Sequence, residues 1–157
     1  MSGTPEERSE ATHGVVLARG DEETAEVGGD LAAGLEPGDV VLLTGEVGAG
    51  KSTLIRAAMR KLGVEGAVPS PTFTIGRLYE GAGQSAPVAH LDLYRLGGLD
   101  DEDPGLLSEY FGPDRITFIE WSEGRGEELA AGATRIFRVS VEHVDESSRR
   151  IRVEPPG

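Results

Sequence analysis

The stretch GEVGAGKST, Gly45 to Thr53, constrains this 157-residue chain more than any other. It satisfies Gly, four free positions and Gly-Lys-Ser/Thr, a phosphate-binding pattern that works only where a buried strand runs into a helix. Both flanks read that way. VVLLT, Val40 to Thr44, is continuous and partly β-branched, as expected of a strand covered on both faces. From Lys51 to Leu62, residues Leu54, Ile55, Ala58, Met59 and Leu62 fall at helical spacing, and Gly63 stands where a helix stop is wanted. In that setting glycines let successive N–H groups curl inward, and the helix start adds a partial positive charge of about half a unit. Gly45, Glu46, Val47, Gly48, Ala49 and Gly50, continuing through Lys51, Ser52 and Thr53, are therefore expected to cradle a nucleoside triphosphate. Lys51 would reach the β and γ phosphates and the Ser52 hydroxyl would ligate magnesium. Glycine is abundant, at 23 residues, but Lys51 and Lys61 are the only lysines, so a chance match with both flanks is remote.

Such a loop needs an acid at the end of a neighbouring strand, to hold magnesium and orient the attacking water. Asp92 closes Val88-Ala89-His90-Leu91, and Glu120 closes Ile116-Thr117-Phe118-Ile119. Each carboxylate is thus set late in an apolar strand, and both are candidates for catalysis and for the metal. Thr72, in the turn SPTFT, is a third candidate, because a loop hydroxyl that reaches the γ phosphate reports its presence. Guanine-reading elements use Asn-Lys-x-Asp; the chain has no asparagine, which favours ATP. His90 reads either as a general base or, more often for a lone strand histidine, as a structural hydrogen-bonding group. Trp121 reads equally as a packed anchor and a partner contact.

Elsewhere, Val15 to Ala18 suits a strand, with Asp21 as N-cap of a helix through about Leu31 that Gly34 would end. Thr72 to Tyr79 and Val88 to Leu96 read as strands around the turn GAGQSA, a hairpin candidate. A weak helix within Asp101 to Tyr110 precedes the strand Ile116 to Trp121. Thr134 to Val141 and Ile151 to Val153 form a closing hairpin around VDESSRR. Early strand-helix alternation and later hairpins give an α/β, P-loop NTPase-like three-layer fold with a mixed, partly antiparallel sheet. Residues 1–12 are expected to be a disordered lead-in, and 13–157 one domain. The longest apolar run, Val40 to Leu43, is far short of the about 18 residues of a membrane span. With no cysteine and no leader pattern, the reading is a soluble, cytoplasmic protein. A net charge of -13 disfavours direct nucleic-acid binding and leaves room for a basic protein partner.

The P-loop, SPTFT, HLDLYRL and FIEW, in that order, together with GLLSEYF, resemble the TsaE family of bacterial tRNA threonylcarbamoyladenosine (t6A) biosynthesis over about Asp21 to Val141. That resemblance implies an ATPase that associates with TsaD and TsaB, TsaD being the protein that transfers the threonylcarbamoyl group to adenosine 37 of tRNA. It implies that Lys51 and Ser52 bind phosphate and magnesium and that Thr72 lies in a switch-like segment. Asp92 would support the metal, Glu120 bind metal or activate water, and Thr24 lie near the nucleotide. Two departures stand out: Ser122 where the family usually has proline, and Glu46 where it usually has aspartate.

Two rivals to an accessory ATPase are a small P-loop kinase and a non-hydrolysing, nucleotide-dependent binding module. The kinase needs an arginine-bearing lid, and the insert Gly81 to Pro87 contains no arginine. The binding module differs in having no use for Glu120 as a catalytic group.

Overall fold

A computed structural model describes residues 14–45, 50–65, 76–81, 83–92, 110, 112–120, 133–154 and 156. The readings of residues 1–12, of Glu46, Val47, Gly48, Ala49, Thr72, Trp121 and Ser122, and of a helix at 101–110 except Tyr110, lie outside the described residues.

Among the described residues seven strands form one sheet around the run VVLLT. They are β1 (Gly14–Arg19), β2 (Asp39–Gly45), β3 (Gly76–Tyr79), β4 (Val88–Asp92), β5 (Ile116–Glu120), β6 (Arg135–His143) and β7 (Ser148–Val153). Across the sheet the order is β1-β7-β6-β2-β5-β4-β3. β2 is central, with parallel neighbours on both sides: Val41 lies beside Phe118 of β5 and Phe137 of β6. β4 continues the parallel set beside β5, while β3, β7 and β1 attach antiparallel at the flanks. The expected mixed sheet and both expected hairpins are present.

The pleat sorts residues onto two faces. Val41, Leu43, Phe118, Phe137, Val139 and Val141 face helices α1 (Gly20–Ala33) and α2 (Lys51–Lys61), meeting Leu31, Leu54, Ile55, Ala58 and Met59. Val40, Leu42, Leu91 and Ile119 face the other way, against Tyr110, Ala133 and Ile136. Phe118, Leu43, Leu54 and Met59 are wholly buried, and burial at this level stabilises by about 1.5–3 kcal/mol per side chain. No helix among the described residues is long and apolar enough to cross a membrane.

Two local readings need correction. Asp21 is not the N-cap of α1: Arg19 holds that position without a side-chain cap bond, and Asp21 lies in the first turn. Gly20, at φ +75°, turns the chain from β1 into the helix, and the Asp21 carboxylate pairs instead with Arg149 at 3.2 Å. The second correction concerns VDESSRR, whose last three residues are strand and not turn. Asp145 closes the loop within four residues by accepting the N–H groups of Ser147 at 2.9 Å and Ser148 at 2.8 Å. The Ser147 bond is the main cause holding the Asp145 carboxyl below the usual carboxylate range.

At the sheet end away from Gly45, Asp39 is buried and accepts Arg135 Nε at 2.9 Å, Arg135 Nη2 at 2.7 Å and the Glu36 N–H at 2.7 Å. Arg135 also donates to the Gly34 carbonyl at 3.0 Å and lies over the Phe137 ring. The bond to Asp39 raises the Arg135 pKa further above its usual range. This fork ties the helix α1 exit, the start of β2 and the start of β6 together.

Removing Arg135 leaves a buried carboxylate without its cation, so Arg135→Ala should lower unfolding free energy by about 3 kcal/mol in urea denaturation. Glu36, exposed and 3.8 Å from Arg135, should contribute less than about 0.5 kcal/mol when replaced by alanine. The adjacent glycines of α1 should respond with opposite signs. A Cβ on Gly28 would collide with the Leu54 carbonyl oxygen where the two helices touch, whereas one on Gly29 meets open space. Thermal melts of Gly28→Ala should show a loss of about 1–3 kcal/mol, and of Gly29→Ala a gain of about 0.5–1 kcal/mol.

Candidate functional site at the carboxyl end of the central strand

β2 leaves the sheet at Gly45, where φ is +148° and a Cβ would collide with the Val141 carbonyl oxygen of β6. Gly50, at φ +104°, is the N-cap of α2, and Leu54 N–H closes the first helical turn onto Gly50 oxygen at 3.1 Å. An L side chain is strained at both glycines, so the ends of the loop admit little else. Lys51 is buried and its ammonium donates to the Gly45 carbonyl at 2.6 Å, drawing the two ends of the loop together.

The two helices treat their positive N-terminal ends differently. α1 has Asp21, Glu22 and Glu23 in its first turn; α2 has no acid there and a glycine cap that offers no side-chain acceptor. A helix start with no acid and no side-chain cap keeps its partial positive charge, the arrangement that suits a phosphate.

Sheet order decides how the two candidate acids sit. Glu120 lies directly across from Leu43 of β2, and Asp92 directly across from Glu120. Glu120 is thus one strand from the loop-bearing strand, about 4.8 Å, and Asp92 is two. Both side chains belong, by alternation with Phe118, to the face that carries α2. Glu120 is buried, Asp92 half-buried, and Ser52 in the first turn of α2 half-buried. Glu120 Oε2 accepts a hydrogen bond from His90 Nε2 at 3.0 Å. Among the described residues no three histidine or carboxylate side chains form a metal cage. A magnesium ion would accordingly need phosphate oxygens beside Ser52 and one carboxylate, its usual mode with nucleotides.

Of the remaining readings, Gly45, Gly50, Lys51, Ser52 and Thr53 gather at the strand-to-helix junction, with Glu120 and Asp92 along the same sheet edge. Thr24 is wholly buried in α1, and its hydroxyl donates to the Gly20 carbonyl at 2.8 Å. A cleft of about 250 Å³ lined by Gly63, Glu65, Tyr79 and Gln84 lies past the far end of α2, roughly 16 Å of helix from Gly50. Burial raises the Tyr79 pKa there, and the glutamates Glu65 and Glu80 make this cleft unsuited to phosphate.

Arg149 was missed by the sequence reading. It projects from β7 toward Gly50, where a Cβ would lie 2.5 Å from its Nη1, and it is buried beside Asp21. The signal was available: Ile151 and Val153 alternate inward, and the same period carried back two residues puts Arg149 on the core face.

The family model described as threonylcarbamoyl adenosine biosynthesis protein TsaE matches residues 18–151. The chain belongs to the TsaE family. A Streptomyces coelicolor tRNA threonylcarbamoyladenosine biosynthesis protein TsaE is 45% identical over 111 residues, 71% of this chain and 75% of that protein. The Mycobacterium bovis protein of the same description is 36% identical over 138 residues, 83% of this chain and 79% of its own length. Among solved structures, Bacillus subtilis YdiB superposes with a TM-score of 0.66 at 27% identity, over 92% of this chain and 88% of that one. The fold is thus the P-loop-like α/β fold of a TsaE protein, a family of t6A biosynthesis.

Lys51→Ala should abolish nucleotide binding while leaving the melting temperature within a few degrees, since the ammonium bonds the Gly45 carbonyl at the end of the central strand and the residue is not among those of the hydrophobic core. Fluorescence of Trp121, the sole tryptophan, titrated with ATP, measures the first; a saturable response in the variant would contradict the assignment.

Proposed function

We propose that this chain is a magnesium-dependent ATPase that serves t6A modification at adenosine 37 of tRNA, acting on a TsaD and TsaB complex by ATP-dependent binding and resetting. The observation that carries this reading is the convergence, at one end of β2, of an acid-free helix start and a buried carboxylate one strand away. Membership of the TsaE family supplies the pathway.

The loop N–H groups and Lys51 would hold the phosphates in one orientation, which is most of what phosphoryl transfer asks of a protein. Ser52 and Glu120 would hold a magnesium ion beside the phosphates, and the ion would supply neutralisation of the charge that develops on the leaving group. Glu120 would either hold that ion or take the proton of the attacking water, and Asp92, one strand further out, would hold waters around it. Burial of Glu120 keeps bulk water from competing for its oxygens. Thr72 would respond to the γ phosphate and Thr24 steady the α1 start. The absence of asparagine leaves ATP as the favoured nucleotide. The transfer chemistry belongs to TsaD in this reading, and a surface of net charge -13 meets a basic protein, not tRNA.

Glu120→Ala should lower ATP turnover by about 100-fold or more in the presence of TsaD and TsaB. Unchanged turnover would remove Glu120 from the chemistry. In a t6A reconstitution, omission of this chain should stop modification after the first round; continued multiple turnover without it would sink the proposed role.

A further inference from the structure

We propose that His90 is a positioning residue that holds the Glu120 carboxylate in its working orientation. The inference rests on the reading of Glu120 given above, and its own support is geometric.

β4 and β5 run parallel with His90 beside Phe118 and Asp92 beside Glu120. All four lie on the helix-bearing face, so the imidazole reaches diagonally along the sheet to the carboxylate two residues on. The bond joins Nε2 to Oε2 at 3.0 Å, with side-chain exposures of 4% and 8%. A carboxylate only accepts, so this contact places the ring hydrogen on Nε2. One carboxylate oxygen is then tied to a rigid strand, and Oε1 is left for a metal ion or a water. Without that tie, a glutamate at a strand end can swing about three side-chain torsions.

The other ring nitrogen shows that His90 is not chosen for packing. Nδ1 is buried and has no hydrogen-bond partner among the described residues. Beside it on that face are Val88 on its own strand, Phe118 on β5 and Arg77 on β3, and an apolar side chain would fill the place without burying an unpartnered nitrogen. What an apolar residue could not do is donate to Glu120. Carboxylates that serve metals are commonly hydrogen-bonded by such partners, and loss of the partner typically reduces metal affinity or activity roughly 10- to 100-fold.

The test uses the full chain with TsaD and TsaB, and three substitutions. His90→Leu removes the donor. His90→Gln brings an amide N–H near the Nε2 position, and His90→Asn brings one only as far as Nδ1, standing in for the leucine variant should that one not fold. We expect His90→Leu and His90→Asn to lower kcat roughly 10- to 100-fold with KM for ATP within about 2-fold, and His90→Gln to recover most of the loss. Mn2+ binding in the presence of a non-hydrolysable ATP analogue, followed by electron paramagnetic resonance, should weaken in step, whereas metal-free nucleotide binding should not change. In a Glu120→Gln background, His90→Leu should have no further effect on kcat, as for two residues acting as one unit. Wild-type turnover in His90→Leu, an equal loss in the Glu120→Gln background, or no recovery in His90→Gln would each overturn the positioning role while Glu120→Ala remains inactive. A fully active Glu120→Ala would instead overturn the reading of Glu120 beneath it.

Discussion

The parallel pairing of β2 with a strand on either side is the constraint on which the rest of this structure depends. A strand buried on both faces and both edges has no freedom of its own, so its carboxyl end is a fixed point. Gly45 makes that end usable. Without a side chain it lets β6 come close at Val141 and lets the chain turn out of the sheet toward Gly50 and α2. The packing of α2 against α1 through Gly28 and Leu54 then fixes the helix whose first turn carries Lys51 and Ser52. Positioning therefore comes from the hydrophobic layer below, and the polar groups are added to a frame already set.

The strand and helix that flank the loop were legible because their information is local, a β-branched run before Gly45 and a helical period after Gly50. Asp92 and Glu120 were legible as strand-end acids for the same reason. Their ranking was not, because nothing in a single strand says which neighbour it will pair with. Only the sheet order puts Glu120 next to β2 and Asp92 one strand further. Asp21 was misread as a cap because the residue that draws its carboxylate, Arg149, comes 128 positions later. Arg149 itself was hidden by the expectation that a Ser-Ser-Arg-Arg stretch is turn, although the alternation of Ile151 and Val153 already pointed inward.

Charge is distributed with a purpose that the net value of -13 conceals. α1 neutralises its own N-terminal dipole with three acids, one of which engages Arg149, and so offers no anion site at its own first turn. α2 has no acid in its first turn, and Lys51 and the Arg149 guanidinium lie beside its start. A net negative chain can thus keep one locally positive spot. The Asp39 and Arg135 pair does different work at the opposite end of the sheet, where it fastens the starts of β2 and β6.

The pairing of β2 also has a kinetic side. Val41 rests between Phe118 and Phe137, partners that lie 77 and 96 residues downstream. Closing loops of that length has a high entropic cost and slows a fold dominated by such contacts. During synthesis the loop and α2 therefore exist well before either neighbouring strand, and the carboxylate on β5 joins them only when the sheet zips shut. The start of α2 and the Glu120 carboxylate are thus brought together in a single late event, so a partly folded chain lacks the assembled site.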